Sequence, residues 1–315
     1  MWRAILRRVL HALLVLLTVS LLTFGLIMAA PGGPSILLDP DLSPADRARL
    51  RQELGLDAPA HIQYLKWAGN AVRGDLGRSL VQKRRVAEMI GERVPATAVL
   101  AGAGLLLTLL AGIPLGVAAA TRPRSLLDHA ATIASGVGVA IPGFWFGIML
   151  IILFAVWLHL LPSAGMYTPG GPQTLADLLR HLVMPTLVLA TFSLPQVTLF
   201  ARASVLETLR QDYVRTARAK GLDERRVLFR HGLRNALIPV LTVIGLLVPR
   251  LVGGAVITET VFAWPGMGRL SADAAFGRDY PLIMGITMVV SVVVIVSNLL
   301  TDIAYTVVDP RIRLE

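Results

Sequence analysis

Residues 202–234 read RASVLETLRQDYVRTARAKGLDERRVLFRHGLR, with nine Lys or Arg against four Asp or Glu. On either side the chain turns apolar: 181–201 carries no Asp, Glu, Lys or Arg, and 235–258 carries Arg250 alone. A hydrocarbon layer is crossed by about 20 mostly apolar residues in a helix, so this basic stretch reads as a connection between two membrane spans. Moving outward, further uncharged runs cover 9–38, 94–121, 129–176 and 280–301. The third exceeds one span, but its part 161–173 is rich in Pro and Gly and reads as loop, so six transmembrane helices are expected. With the N-terminus in the cytoplasm, 1–8, 120–128, 202–234 and the tail lie inside. The short outside connections, 159–180 and 259–281, hold only Arg180, Arg269 and Arg278. This is the positive-inside distribution. Splitting 129–176 into two spans at Pro142-Gly143 would put the most basic connection outside, which the same rule opposes.

Composition points the same way. Of 315 residues, 55% are hydrophobic and only 16% charged, with mean hydropathy +0.67, whereas a soluble domain is about a quarter charged. Intrinsic disorder is excluded by the amount of apolar surface. The absence of cysteine excludes a disulfide scaffold, a thiolate zinc site and a cysteine nucleophile. The net charge of +10 reads as membrane topology, not as a nucleic-acid surface. Arg3, Arg7 and Arg8 precede an apolar run longer than the 7–15 residues of a signal peptide core, so an uncleaved first helix is expected. The stretch 31–93 is too short for a well-filled core of its own and reads as a small helical cap outside the membrane. There Ser43-Pro44 opens a helix over 45–54 as N-cap and first residue, and Gly55 closes it.

Chemistry of the chain's own is not expected. A phosphate-binding loop needs Lys followed by Ser or Thr, but Lys66, Lys83 and Lys220 are followed by Trp, Arg and Gly. No HExxH pair offers zinc ligands. Ser135, Ser193 and His129 lie in spans without a nucleophile motif, and intramembrane serines commonly pack helices together. No catalytic residue, metal site or cofactor is therefore assigned to this chain.

The basic segment has internal order. Arg218 and Lys220 fall at the end of one short helix, where cations suit the negative end of the dipole. Gly221 is placed to take the left-handed conformation that stops it, and Asp223 and Glu224 open the next helix. A charged hairpin held by a span at each end can dock into a partner and pass on its movement; a solvated basic loop at anionic lipid is the alternative. Arg250, about 22 Å along the helix from Asn235 at 1.5 Å per residue, is the one permanent charge inside a span. An intramembrane ion is expensive unless it faces protein, water or a partner. It could line a solute pathway, pair with Glu259 or backbone oxygens, or snorkel to the interface. Pro142, Pro185, Pro195 and Pro249 interrupt spans, and Pro142 with Phe144 and Trp145 is a candidate cavity wall.

These features carry a resemblance. DYVRTARAKG (212–221) and RHGLRNALIP (230–239) are similar to the cytoplasmic loop of dipeptide/oligopeptide/nickel ABC importer permeases, most of all to the dipeptide permease "B"-type subunit. Thr23-Phe24, Pro31-Gly32, GDLG (74–77), GIPLG (112–116), ETVFAWPGMG (259–268), RDYP (278–281) and Asp309-Pro310-Arg311 extend the match along the whole chain. The resemblance implies an all-α membrane protein of the type I ABC importer permease fold, with six transmembrane helices and both termini cytoplasmic. It implies a first helix within 1–30, an extracytoplasmic cap over 31–93, a transmembrane domain over 94–308 with the coupling loop at 207–234, and a tail over 309–315. The function implied is half of the translocation pathway for peptides, or for a related solute such as a nickel chelate or glutathione, across the inner membrane of a prokaryote. The partners implied are a second, related permease, two ATPase subunits that bind the ATP and magnesium, an extracytoplasmic binding protein and lipid, but no nucleic acid. A self-contained secondary transporter or channel is the alternative, though such proteins usually carry ionisable residues in several spans. The coupling helix is then Tyr213, Val214, Arg215, Thr216, Ala217, Arg218, Ala219, Lys220, Gly221 and Leu222. In the wider importer family this loop has an acidic residue, two alanines and a later glycine. Gly221 aligns with that glycine, but Arg215 and Thr216 depart from the pattern.

Overall fold

The computed structural model describes residues 2–31, 33–38 and 40–308; Gly32 and the 309–315 tail with its Asp309-Pro310-Arg311 motif lie outside them. The described chain is helical throughout, with one antiparallel bridge between Arg78 and Arg85. In order the helices are α1 (Trp2–Ala29), α2 (Pro44–Glu53), α3 (Ala60–Val72), α4 (Val86–Thr121), α5 (Leu126–Ala140), α6 (Gly143–Leu150), α7 (Leu175–Leu209), α8 (Asp212–Ala219), α9 (Glu224–Arg226), α10 (Leu233–Val261), α11 (Met267–Phe276) and α12 (Tyr280–Val308). Wider π-helical turns extend α6 over Ile151–Trp157 and link α9 to α10 over Val227–Gly232. Four helices are long and apolar enough to cross a membrane: Leu6–Ala29, Val86–Thr121, Leu175–Leu209 and Tyr280–Thr301. The count reaches six when two bent pairs are each taken as one span.

One of those pairs is the third expected span, interrupted at Pro142 but bent far more sharply than a proline kink. Leu126–Ala140 and Gly143–Trp157 meet at 99°. The reason is local: Pro142 has no N–H and drives the residue before it out of the helical region, and Ile141 is extended at ψ 123°. Gly143 follows with low helix propensity. Pro185 and Pro195 in α7 and Pro239 and Pro249 in α10 lie inside continuous helices, so proline alone does not decide the break.

The chain divides into two compact units, Met1–Thr97 with Pro265–Ile295, and Ala98–Trp264 with Val296–Glu315. In the first, Val86, Met89 and Ile90 of α4 pack on Met267, Leu270 and Ala274 of α11 and on Leu282 and Ile286 of α12. The buried Asp279 organises its loops. The carboxylate accepts hydrogen bonds from Ser79 Oγ and from the N–H groups of Leu80 (3.0 Å), Val81 (3.4 Å) and Leu282 (3.4 Å). Next to it, Arg278 Nη1 donates to the carbonyls of Pro31 (2.6 Å) and Gly33 (3.4 Å). Two of the quoted motifs, RDYP and the Pro31 end of helix α1, thus meet in one place. Helix α3 lies against α1 through an edge-on contact of Tyr64 with Phe24 and a 2.8 Å bond between Tyr64 Oη and Ser20 Oγ. Leu13, Leu14, Leu22 and Leu26 of α1 are each more than half exposed, a row that suits hydrocarbon and not water.

Helix α2 follows the capping expected of it. Ser43 Oγ accepts from Asp46 N–H at 3.1 Å, Pro44 is the first helical residue, and Gly55 is left-handed at φ +67°. No residue of α2 is buried, so the cap is its main local support. Ser43→Ala is expected to weaken α2 by about 1 kcal/mol. Amide exchange over 44–53 then quickens about fivefold, while the rest of the chain is unaffected.

In the second unit α7 is central. Gly104, Thr108, Gly112 and Gly116 of α4 recur every four residues and meet Leu189, Ser193, Val197 and Ala201 of α7 at the same interval. Such small-residue stripes let helices approach closely in lipid. Thr108 Oγ1 and Ser193 Oγ share a buried hydrogen bond of 2.6 Å within this seam. On its other sides α7 packs on Gly138 of α5, on α6 through Met184, Val188 and Leu150, and on α10 through Val197, Ala201, Val240 and Val243. Gly245 of α10 lies directly on Thr301 of α12.

Candidate functional site

The basic hairpin is built as a small packed unit. Val214 and Ala217, three apart on α8, are buried with Val227, and Leu209 and Leu222 close the cluster. Gly221 adopts φ +78°. Its N–H donates to Arg218 O at 2.9 Å, and Leu222 N–H reaches Ala217 O at 3.4 Å. That pair of bonds, with Leu222 packed near Ala217, is the glycine-terminated helix stop that satisfies the last carbonyls. Asp223 then caps α9, its carboxylate accepting from Arg225 N–H at 3.1 Å.

Polar contacts brace the outside. Arg218 holds Glu224 with two N–H groups at 2.7 and 3.3 Å, clamping the two helices across the glycine. Asn235 Nδ2 donates to Tyr213 Oη at 3.0 Å, tying α8 to the start of α10. Of the ten residues expected to form the docking element, Val214 and Ala217 face inward and Leu222 is half-buried. Tyr213, Arg215, Thr216, Arg218, Ala219, Lys220 and Gly221 are exposed. The hairpin is tied to α7 at one end and α10 at the other, the two helices that share the core of their unit.

A second polar feature was not anticipated. Arg202 of α7 makes a two-pronged ion pair with Asp128 at the start of α5, one contact being Nη2 to Oδ2 at 2.8 Å. Arg124 N–H also donates to this carboxylate at 2.9 Å. Asp128 is buried. The pair fixes α5 to α7 one full helical stretch before the hairpin, and only the tertiary fold brings its members together.

Arg250 lies on a cavity of about 340 Å³. Its wall includes Phe192 and Gln196 of α7, Leu247 and Leu251 of α10, and Gly143, where an added Cβ would fall 2.5 Å from the Phe192 ring. Arg250 Nη1 donates to Gln196 Oε1 at 3.3 Å. Glu259 is nine residues further along the same helix, about 13 Å away and on the opposite face. Of the residues expected to line a pathway, Arg250 borders this cavity; Pro142 does not, although the next residue, Gly143, does. Phe144 and Trp145 are half-exposed and outside the lining. Gln196 was overlooked, although it is the one amide side chain within 181–201. Among the described residues no group of three or more His, Asp or Glu is gathered to hold a metal.

The chain matches the family described as binding-protein-dependent transport system inner membrane component over residues 112–314, and the N-terminal companion of that family over 1–101. It is 46% identical over 311 residues to an oligopeptide transport system permease protein, AppB, of Bacillus subtilis, covering 98% of each chain. It is 39% identical over 336 residues to a dipeptide transport system permease protein, DppB, of Escherichia coli K12, covering 99% of each. Among solved structures, an inward-facing MetNI methionine ABC transporter superposes with a TM-score of 0.57 at 16% identity, covering 70% of this chain and 96% of that one. A second crystal form of the same transporter gives 0.53. The likeness in fold, and the family match over most of the chain, identify this polypeptide as a member of the binding-protein-dependent transport system inner membrane components.

Proposed function

We propose that this chain is one half of the translocation pathway of a peptide importer, paired with a second, related permease and driven by two separate ATPase subunits. A binding protein outside the membrane delivers the solute. The observation that carries this reading is the α8 hairpin: a self-packed, externally charged element suspended between α7 and α10. A groove on an ATPase that grips Tyr213, Arg215, Thr216, Ala219 and Lys220 moves the hairpin, and the hairpin moves the two helices. The fit of a lever to this role rests on stiffness, which the Gly221 stop, the Arg218–Glu224 clamp and the Tyr213–Asn235 bond supply. ATP and magnesium belong to the partner subunits. In this reading the hairpin and both termini are cytoplasmic, and 31–93 is the outer cap. The relatives named for oligopeptide and dipeptide transport support peptides as the solute.

The native chain has no cysteine, so Lys220→Cys creates its sole thiol. A membrane-impermeant maleimide is expected to label it in inverted vesicles and not in intact cells. The tagged chain is expected to bring down a second permease and ATPase subunits, and the reconstituted complex to take up peptide only with ATP and receptor. Labelling from outside, or peptide uptake by the chain alone, overturns the proposal.

A further inference from the structure

We propose that Arg250, held by Gln196, forms a carboxylate-binding point on the solute pathway, so that this permease selects solutes carrying a carboxylate. The inference rests on the importer reading above and adds the chemistry by which the membrane domain itself recognises its cargo.

The cavity surface is predominantly apolar. Phe192, Leu247, Leu251 and Ile257 line it, with Ser193, Gln196, Arg250 and Thr258 as the polar residues of the wall. Gln196 is neutral, so its 3.3 Å bond steadies the guanidinium without cancelling its charge. Among the described side chains no carboxylate lies within ion-pair distance of Arg250, and most of its five N–H donors remain for a ligand. A fixed charge on a low-dielectric wall attracts an anion far more strongly than the same charge in water. The planar guanidinium fork matches a carboxylate in two-point geometry. About 340 Å³ is at the small end of ligand sites, suited to one terminus of a solute and its adjoining side chain. A peptide at neutral pH presents such a group at its C-terminus.

Gly143, which opens α6 beyond the Pro142 bend, borders the same cavity as Arg250. Any side chain at 143 would push into the Phe192 ring, so the bend and the cavity wall are built together. This gives the otherwise costly intramembrane charge a use that a packing role does not.

The test uses the whole complex in vesicles, with receptor saturated by a dipeptide. Arg250→Met is expected to lower ATP-driven uptake by about tenfold or more, the fold-change that follows loss of one hydrogen bond to a charged group. Arg250→Lys, which keeps the charge but not the fork, is expected to fall between Arg250→Met and wild type. Co-purification of the second permease and basal ATPase activity should be unchanged in both. Unchanged uptake by Arg250→Met overturns the inference. So does equal loss in both variants with assembly intact, since an ammonium keeps part of the attraction. Loss of the second permease from the purified complex would assign the charge to subunit contact and overturn it as well. If the wild-type complex shows no ATP-driven peptide uptake, the importer reading fails, and this inference with it.

Discussion

Gly116→Leu leaves no monodisperse, folded chain in detergent, and Gly116→Ala lowers the thermal midpoint by about 6–12 °C, the shift expected from about 3 kcal/mol in a domain of this size. The argument is geometric. A Cβ at Gly116 would lie 2.5 Å from Thr198 O, 2.8 Å from Ala201 Cβ and 3.0 Å from Arg202 N. Two of these atoms are backbone of α7, so no side-chain rotation relieves the clash, and the helices must move apart. Alanine regains about 1 kcal/mol of helix propensity over glycine, which does not offset overpacking against a rigid neighbour. Gly104, three turns earlier in the same stripe, is the control. Its nearest neighbour is Leu189 Cβ at 3.1 Å, a shortfall of a few tenths of an ångström that a slight shift of the helices absorbs, so Gly104→Ala is expected to fall within about 1 kcal/mol of wild type. Equal thermal midpoints for the two alanine variants would show that the α4–α7 seam is not closed as described.

The second large effect is expected at Gly221. Proline there fixes φ near −65° where the chain needs +78° and removes the N–H that reaches Arg218 O. The α8–α9 stop then cannot form, Val214 and Ala217 lose their registry with Val227, and the hairpin is no longer stiff. Gly221→Pro should therefore insert normally but abolish ATP-driven uptake. Space is not the constraint, because nothing lies within 4 Å of an added Cβ. Asparagine, which tolerates the left-handed region, should retain most transport, and alanine should fall between them. Full uptake by the proline variant would separate the hairpin from energy coupling altogether.

These two glycines also mark how far the amino-acid order could be read. Gly221, Gly55 and the Ser43 cap were legible because helix ends are governed by hydrogen bonds within a few residues, and the residue types that make them are few. The spans were legible because lipid imposes one rule on every segment that crosses it. Pro142 was legible as an interruption but the angle of its bend was not, since a charge-free run has length but no direction, and Pro95, Pro114, Pro185, Pro195, Pro239 and Pro249 lie within unbroken helices. Within the hairpin, all ten residues 213–222 were read as one docking element, and only packing against Val227 turns Val214 and Ala217 inward. Gln196 with Arg250 and Asp128 with Arg202 are joined across 54 and 74 residues. No local pattern announces such pairs; they exist because α7 lies against α5 and α10.

The Asp279 clasp carries a consequence for biosynthesis. Its partner Ser79 leaves the ribosome 200 residues earlier, and at roughly 5–20 residues per second that is a wait of about 10–40 s. Through this interval the loop at 79–81 has its N–H donors exposed to water, and only arrival of the last span gives them their acceptor. A nascent chain that stalls before Asp279 thus keeps an open clasp, with the Leu80 and Val81 N–H groups still waiting for the carboxylate that the finished chain gives them.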